Sequence, residues 1–217
     1  MTVSSSRFPV SGFGFRVLNG VTKREPGIFV VEKNRNAEIR GNLSGGEAKL
    51  GIVLEEGASL ILKSETSGTS SLTIDCSLVG SNSSIEITNT CRAANNDSQK
   101  SVTNVVHLAP NTRSLVKSKG AAWDSGVVEL SGLAKIEKSA PGSVSRVECK
   151  ALVLGEKARA RADPELEILN NDVDCSHAAS VREIEKEKIF YLQTRGLSEE
   201  EAKRLIVEGF LGSAGEE

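Results

Sequence analysis

The sequence has few aromatic residues, almost no net charge and no long apolar run, and each of these deficits excludes a class of function. Its 217 residues carry a formal net charge of −2. No general basic field therefore exists to attract nucleic acid or an anionic membrane surface. No stretch of about 18 apolar residues occurs, so no segment is predicted to span a bilayer. The first 15 residues lack a basic start followed by an apolar block, so we expect a cytoplasmic protein without a secretory signal.

Paired cysteines are also missing. The four cysteines are Cys76, Cys91, Cys149 and Cys175, and none forms a Cys-x-x-Cys motif. Structural disulfides are not expected in a cytoplasmic chain. The wide spacing argues against a self-contained zinc ribbon or ferredoxin-type cluster, both of which need close cysteine pairs. Any metal site must therefore be assembled from distant positions or shared between chains.

Signatures of common enzymes are absent as well. The segment 41–48, GNLSGGEA, superficially resembles a phosphate-binding loop, but Glu47 and Ala48 replace the lysine and the hydroxyl that contact phosphate and magnesium. There is no Gly-x-Ser-x-Gly elbow, His-Glu-x-x-His motif or dinucleotide-binding fingerprint. Only two histidines are available for acid–base chemistry. We therefore predict a protein that is not an enzyme.

The first 36 residues differ from the rest because they contain half of the aromatic residues of the chain. Phe8, Phe13, Phe15 and Phe29 all lie there. We interpret residues 1–36 as short strands and turns that cover the end of the following domain. A partly disordered leader is the alternative.

From residue 37 to 169, short runs of Val, Ile, Leu, Thr and Ser alternate with turns rich in Gly, Asn and Ser. Similar sequence repeats begin at Leu54, Leu78, Leu108 and Leu154, and the last gap leaves room for one more repeat near 128–136. Such repetition at about 20–30 residues favours a parallel β-helix, or solenoid. An antiparallel sandwich with turns at similar spacing is the alternative.

The C-terminal part predicts a pair of helices. Ser180 with Glu183 and Ser198 with Glu201 are two capping-box patterns, each typical of a helix start. Gly196 lies between them, where the first helix should end. In the second helix, one face is apolar: Ala202, Leu205, Ile206 and Phe210.

These same segments resemble a known family. The motifs CSHAASV (175–181), FYLQTRG (190–196) and GF (209–210) are similar to the C-terminal signature of the SufB/SufD family, whose members are scaffold components of iron–sulfur cluster assembly. The resemblance continues upstream through CKALVLG (149–155) and DPELEI (163–168). About 65 residues are closely similar, in the order of the family.

The resemblance implies a mainly β fold. A right-handed parallel β-helix is expected over residues 37–177, followed by a C-terminal α-helical hairpin over 178–217, with residues 1–36 as N-terminal strands or cap. Typical members are longer and have a helical region before the β-helix, so the chain would be a short form. We expect neither nucleic acid nor membrane among its partners.

Three residues are the candidate metal or sulfur-accepting site. Cys149 falls where SufB-type members place a cysteine needed for cluster assembly, although an isolated cysteine in a β-core is usually a small buried hydrophobe. Cys175 and His177 are two residues apart in an extended segment, so both should face the same side and could form a half-site for iron. His177 could instead bond a backbone carbonyl. The resemblance implies a transient iron–sulfur cluster as the cofactor.

The position of Ala178 leaves the type of family member open. SufB-type members carry a glutamate there, whereas SufD-type members carry a small residue. The chain therefore combines a SufB-like Cys149 with a SufD-like Cys-Ser-His-Ala.

The resemblance also implies partners. Family members bind the ATPase SufC through their C-terminal helices, so we expect a SufC-like ATPase to contact the second helix at Glu199, Lys203, Ile206 and Phe210. The β-helix would pair with a SufB/SufD-like paralogue or with itself.

Two other functions are considered: a regulatory module of an ABC-type ATPase that holds no cluster, and a solenoid enzyme acting on polysaccharide. The scarcity of aromatic residues between 37 and 169 argues against the latter.

Overall fold

The computed structural model describes residues 6–7, 13–18, 21–25 and 27–212. The predicted positions of Phe8 and of the tail at 213–217 lie outside these ranges. Strands make up 63% and helices 12% of the structure. In chain order the elements are β1 (Ser6–Arg7), β2 (Phe13–Leu18), β3 (Val21–Glu25), β4 (Ile28–Val31), β5 (Asn36–Leu54), β6 (Ser59–Leu78), β7 (Ser84–Ala93), β8 (Ser98–His107), β9 (Arg113–Trp123), β10 (Val127–Ile136), β11 (Ser143–Leu154), β12 (Arg159–Ile168), β13 (Val173–Glu183), α1 (Lys186–Thr194) and α2 (Glu199–Leu211).

The strands from β5 onward form a parallel solenoid with two walls. The first wall has the order β5-β6-β7-β9-β11-β13, and the second has the order β5-β6-β8-β10-β12. The long strands β5 and β6 run through both walls, and β5 bends at a register shift between Ser44 and Gly46. Every pairing within the walls is parallel. The structure therefore confirms the predicted solenoid and excludes the antiparallel sandwich.

Short strands lie before the solenoid in the described part of the chain. Strand β2 pairs antiparallel with β5, whereas β4 pairs antiparallel with β3 and parallel with β5. Phe29 and Val31 of β4 are almost completely buried in the same core cluster as the side chains of β5 and β6. This part of the chain therefore covers the first coil and removes its apolar interior from water.

The interior is filled by alternate residues of each strand. On the second wall, Leu54, Leu78 and Ile136 occupy equivalent positions in three of the coils and are fully buried. Each such side chain contributes roughly 1.5–3 kcal/mol when it leaves water. The two walls face each other across a core that aliphatic side chains fill for the most part.

The turns of the solenoid recur at equivalent corners, but one of the predicted repeats lies at the opposite corner from the others. The turns that follow Leu54, Leu78 and Leu108 all lie where the second wall passes into the first. Leu154 ends β11, so its turn lies at the opposite corner. The predicted repeat near 128–136 is strand β10, and its turn follows at 137–142. The predicted repetition is therefore present, but the repeat at Leu154 marks the corner where the first wall passes into the second.

The prediction that the first helix starts at Ser180 is wrong. Strand β13 continues to Glu183, and α1 begins at Lys186 with Glu185 as an N-cap that makes no side-chain capping bond. Pairing with β11 explains the difference, because Ser180 and Glu183 are in register with Lys150 and Val153. A continuous ladder satisfies more backbone groups than one cap does. The helical hairpin therefore occupies 186–211 rather than starting at 178.

The second predicted capping box is present. The Ser198 hydroxyl accepts from the Glu201 amide at 3.2 Å, and the Glu201 carboxylate accepts from the Ser198 amide at 2.8 Å. Helix α2 then packs on the first wall, where Val207 and Leu211 are buried against Leu152. Within the described ranges, no helix has both the length and the apolar character needed to cross a membrane.

One polar cluster interrupts the aliphatic core. His107 is fully buried and stands in the column that Leu54, Leu78 and Ile136 fill in other coils. Its Nδ1 lies 2.7 Å from Thr112 Oγ1, and its Nε2 lies 2.8 Å from Ser114 Oγ. In the neutral imidazole one ring nitrogen donates and the other accepts, and the hydroxyls of Thr112 and Ser114 can take either role. The imidazole is thereby satisfied in its neutral form.

We expect His107 to make stability pH-dependent. Burial lowers the pKa of His107 from 6.5 to about 4. The unfolded chain therefore binds the proton more readily between these values, so stability is complete above pH 6.5 and falls as the pH drops towards 4. Between pH 7.5 and 4.5, wild type should lose roughly 2–3 kcal/mol more than a His107→Leu variant. Urea unfolding of both proteins at the two pH values measures this difference, and equal losses would contradict the assignment.

Gly80 provides a test of how tightly the coils stack. A Cβ on Gly80 would lie 1.9 Å from the Glu56 amide nitrogen, whereas one on Gly209 in α2 would meet nothing within 4 Å. Gly80→Ala should therefore destabilise the chain by about 3 kcal/mol, because backbone atoms must move. Gly209→Ala should stabilise it by about 0.5–1 kcal/mol through helix propensity. The free energies of urea unfolding check both values, and a neutral Gly80→Ala would show that adjacent coils can separate at little cost.

Candidate functional site

The candidate site lies at the C-terminal end of the solenoid, where β12 and β13 form the last coil. We call this end of the stack the open end, because no further coil of the described chain covers it. Register with β11 places Cys175 beside Ser145, His177 beside Val147 and Ala179 beside Cys149. Since Val147 and Cys149 point inward and are buried, Cys175 and His177 face the same side.

Cys149 is sealed inside the solenoid. Its side chain is fully buried in a cluster with Cys91, Leu130 and Ala151. Burial, chiefly, raises the pKa of Cys149 to about 12, with smaller contributions from nearby Asp163, Cys91 and Glu148. The thiol is therefore neutral at pH 7 and is not a nucleophile in this conformation.

Cys175 has a more accessible environment. It is only partly buried, and it stands at the edge of the last coil. Burial raises its pKa, a backbone hydrogen bond from Ser145 lowers it, and the charges of Asp174 and Arg146 act in opposite directions. Of the four cysteines, Cys175 is the one that reagents can reach without opening of the fold.

His177 is exposed and already oriented by the backbone. Its Nδ1 lies 2.9 Å from the carbonyl oxygen of Pro164 on β12. The predicted alternative, a bond to a backbone carbonyl, is therefore what the structure contains. Because a carbonyl only accepts, Nδ1 carries the proton and Nε2 presents its lone pair outward. A hydrogen bond of this kind is the usual outer support of a metal-binding histidine, so the two interpretations of His177 are compatible.

The three predicted residues do not form a complete metal site by themselves. Cys175 and His177 share the open end, whereas Cys149 lies one strand deeper and four register positions from Cys175. Among the described residues, no group of three or more His, Cys, Asp and Glu side chains could hold a metal ion. Ala178 points outward beside Glu148 and contributes no ligand. A complete metal site would therefore need ligands beyond these three residues.

Two residues near Cys175 were missed at the level of sequence. Arg146 donates to Asp174 at 2.9 Å and to Ser176 at 3.0 Å, so it holds the residues on both sides of Cys175. Ser145 lies directly beside Cys175. They precede Cys175 by 29 and 30 residues, and only the register of β11 with β13 brings them next to it.

The four predicted partner-binding residues divide into two groups. Glu199 and Lys203 lie on the surface and form an ion pair of 2.6 Å. Ile206 and Phe210 are partly buried against the first wall, and the Phe210 carbonyl accepts from Lys119 at 3.0 Å. The most exposed large apolar side chains of the hairpin are others: Phe190, Tyr191 and Leu205, at 68%, 57% and 52% exposure.

The sequence matches one family model and several relatives. The SufBD core domain of SUF-system iron–sulfur cluster assembly matches residues 49–210. The chain is 32% identical over 203 residues to the iron–sulfur cluster assembly protein SufB of Bacillus subtilis, which covers 93% of this chain and 38% of that protein. It is 30% identical to a SufBD family protein of Staphylococcus saprophyticus over the same shares of both chains. A SufBD family protein of Mycobacterium bovis is 34% identical over 134 residues, 62% of this chain and 16% of its own. The chain thus spans well under half the length of these relatives.

The different environments of the cysteines predict selective labelling. Iodoacetamide should modify Cys175 in the folded protein, whereas Cys76, Cys91 and Cys149 should react at least about tenfold more slowly because their thiols are buried and protonated. Mass spectrometry of peptides after timed labelling measures each rate, and labelling in urea gives the fully exposed reference. A Cys175→Ser variant should lose the fast reaction. Fast labelling of Cys149 in the folded chain would contradict the sealed position of this residue.

Proposed function

Because the chain belongs to the SufBD family of the SUF iron–sulfur cluster assembly system, we propose that it is a cytoplasmic, non-enzymatic scaffold subunit on which clusters are built. The observation that carries this proposal is that Cys175 and His177 lie two residues apart on the same face of β13, at the open end. Sulfur and nitrogen donors of these types are suited to iron.

In this proposal the open end receives iron and sulfur as cargo. Cys175 and His177 supply two donors, and a second chain supplies the others. Cys149 lies one strand deeper and would accept sulfur or bind iron only after the last coil moves, because it is sealed in the conformation described above. The cluster would be held transiently and passed on, which is consistent with an incomplete ligand set in a single chain.

The open end also supports pairing through the β-helix. Ile168 and Val181 of the last coil are 43% and 48% exposed, although their equivalents in earlier coils are buried. The outer edges of β12 and β13 have no neighbouring strand in the described chain. Exposed strand edges and an uncovered core favour association with another chain. We propose a SufB/SufD-like paralogue, or a second copy, as that partner.

The helical hairpin would bind a SufC-like ATPase. Phe190, Tyr191 and Leu205 supply the apolar contacts, and Glu199 and Lys203 supply charged groups at their margin. Ile206 and Phe210 instead attach α2 to the wall that contains β11. Closure of two ATPase subunits on ATP would move the hairpins, and this contact would transmit the movement towards the strand that carries Cys149.

A second function is favoured by the burial of Cys149 and by the absence of the acidic ligand at Ala178. In this version the chain is a regulatory module that binds an ABC-type ATPase and holds no cluster. The two versions differ in whether the open end binds iron.

Anaerobic reconstitution with ferrous iron and sulfide, with and without the partner proteins, separates these functions. Wild type should retain iron and show sulfide-to-iron charge-transfer absorbance, whereas Cys175→Ser/His177→Ala should lose at least about 90% of both, given the 10–100-fold effects typical of lost metal-site groups. Cys76→Ser, which removes a thiol buried in the second wall, should behave as wild type.

The same proteins should be tested for capture of the ATPase, with Phe190→Ala/Leu205→Ala as the variant that loses it. Capture of the ATPase without iron in any sample supports the regulatory module. Equal, negligible iron in wild type and in the double variant, both alone and with partners, would refute the scaffold assignment.

A further inference from the structure

Strand β13 is an edge strand, yet the segment around Cys175 is held more firmly than its position requires. Parallel pairing with β11 is its only ladder in the described chain. The residues on either side of Cys175 are both hydrogen-bonded by one side chain, Arg146. Its Nη2 donates to Asp174 Oδ2 at 2.9 Å, and its Nη1 donates to Ser176 Oγ at 3.0 Å and to Asp174 Oδ1 at 3.4 Å. A planar guanidinium with this fork of contacts fixes direction as well as distance.

The inward side of β11 has a counterpart to this contact. Ser145, the residue before Arg146, is in register with Cys175 on the neighbouring strand. The Ser145 hydroxyl lies 2.7 Å from Ser114 Oγ, which in turn lies 2.8 Å from His107 Nε2. All three side chains belong to the fully or almost fully buried group.

The polar residues on this inward side are not what stability alone would select. In the equivalent column of earlier coils, Leu60 and Ile85 stand where Ser114 and Ser145 stand in later ones. His107 likewise replaces a leucine or isoleucine found in the other coils. The polar substitutions occur together, and they lead through successive strands to the sulfur at the open end. Buried hydroxyls bonded in a chain restrict the rotamers of every member.

We propose that Arg146 is a positioning residue for Cys175, and that the Ser145–Ser114–His107 chain is its interior counterpart. The inference rests on the proposed function only for what Cys175 binds. Arg146 holds the side chains of Asp174 and Ser176, on both sides of the cysteine, from the outer face of β11, while Ser145 lies beside Cys175 on the inner face. The thiol is thus aimed at the open end beside His177 before any metal or partner arrives.

Two measurements on the full chain test the proposal, using Arg146→Met, Arg146→Lys and Arg40→Met. Arg40 pairs with Glu38 on β5 of the same wall and is a matched surface arginine far from Cys175. The first measurement is the iodoacetamide rate at each cysteine. The second is the titration of Co²⁺, as a spectroscopic substitute for ferrous iron, followed by its thiolate charge-transfer band.

In Arg146→Met, Cys175 should label several-fold faster because the edge strand frays, while Co²⁺ affinity should fall about tenfold, the loss typical of removing groups that orient a metal ligand. Arg146→Lys should recover only part of both values, because an ammonium cannot make the forked contact. Arg40→Met should match wild type. His107→Leu should shift both readouts in the same direction as Arg146→Met.

Opposite changes in labelling and affinity distinguish positioning from general unfolding, which would also expose Cys76, Cys91 and Cys149. Wild-type labelling and wild-type Co²⁺ affinity in Arg146→Met would overturn the proposal. If wild type itself binds no Co²⁺, the proposed iron site fails, and the labelling rates alone then decide whether Arg146 holds Cys175.

Discussion

The in-register stacking of parallel coils is the constraint on which the rest of the structure depends. Each strand bonds to the equivalent strand of the next coil, at a spacing of about 4.8 Å, so a residue meets its structural equivalent directly above and below. A coil therefore satisfies its backbone only when both neighbours are present. The two ends of such a stack are chemically different from its middle, because each lacks one neighbour.

The N-terminal and C-terminal ends of this solenoid solve that problem differently. At the first coil, strands β2 and β4 pair with β5, and Phe29 is buried with its core. At the last coil, no described strand covers β12 or β13, and apolar side chains remain exposed. The uncovered end is also where the thiol of Cys175 and the imidazole of His177 occur. The proposed site and the proposed pairing surface therefore lie at the same end of the stack.

Stacking also explains how distant residues come to act on one another. Pairing of β11 with β13 brings Ser145 and Arg146 next to Cys175. His107 contacts Ser114, which in turn contacts Ser145. Helix α2 packs on Leu152 and Leu154 of β11, the strand that carries Cys149. The first wall, which carries Cys149 and Cys175, is thus also the wall on which the hairpin packs. A displacement of the hairpin has a short physical route to the site through one continuous strand.

The predictions from sequence failed where a local signal competed with pairing between strands. Ser180 and Glu183 form a plausible capping box, but the ladder to β11 keeps both in β13. The box at Ser198 and Glu201 has no such competitor, and it forms as predicted. The repeat at Leu154 has the right composition for a turn, but composition does not distinguish one corner of a coil from the other.

The amino-acid order alone predicted the solenoid class through its repeats together with the family resemblance. It also predicted the helical hairpin with its second cap, and Cys175 and His177 on one face of a strand, because capping and strand alternation depend on residues that are neighbours in the chain. Tertiary structure alone decided that Cys149 is sealed and that Ile206 and Phe210 face the wall, leaving Phe190, Tyr191 and Leu205 exposed. It also decided that Arg146 bonds Asp174 and Ser176, on either side of Cys175. These outcomes depend on which strand lies next to which and on how many residues each turn contains, and such distances between remote residues are fixed only when the coils stack.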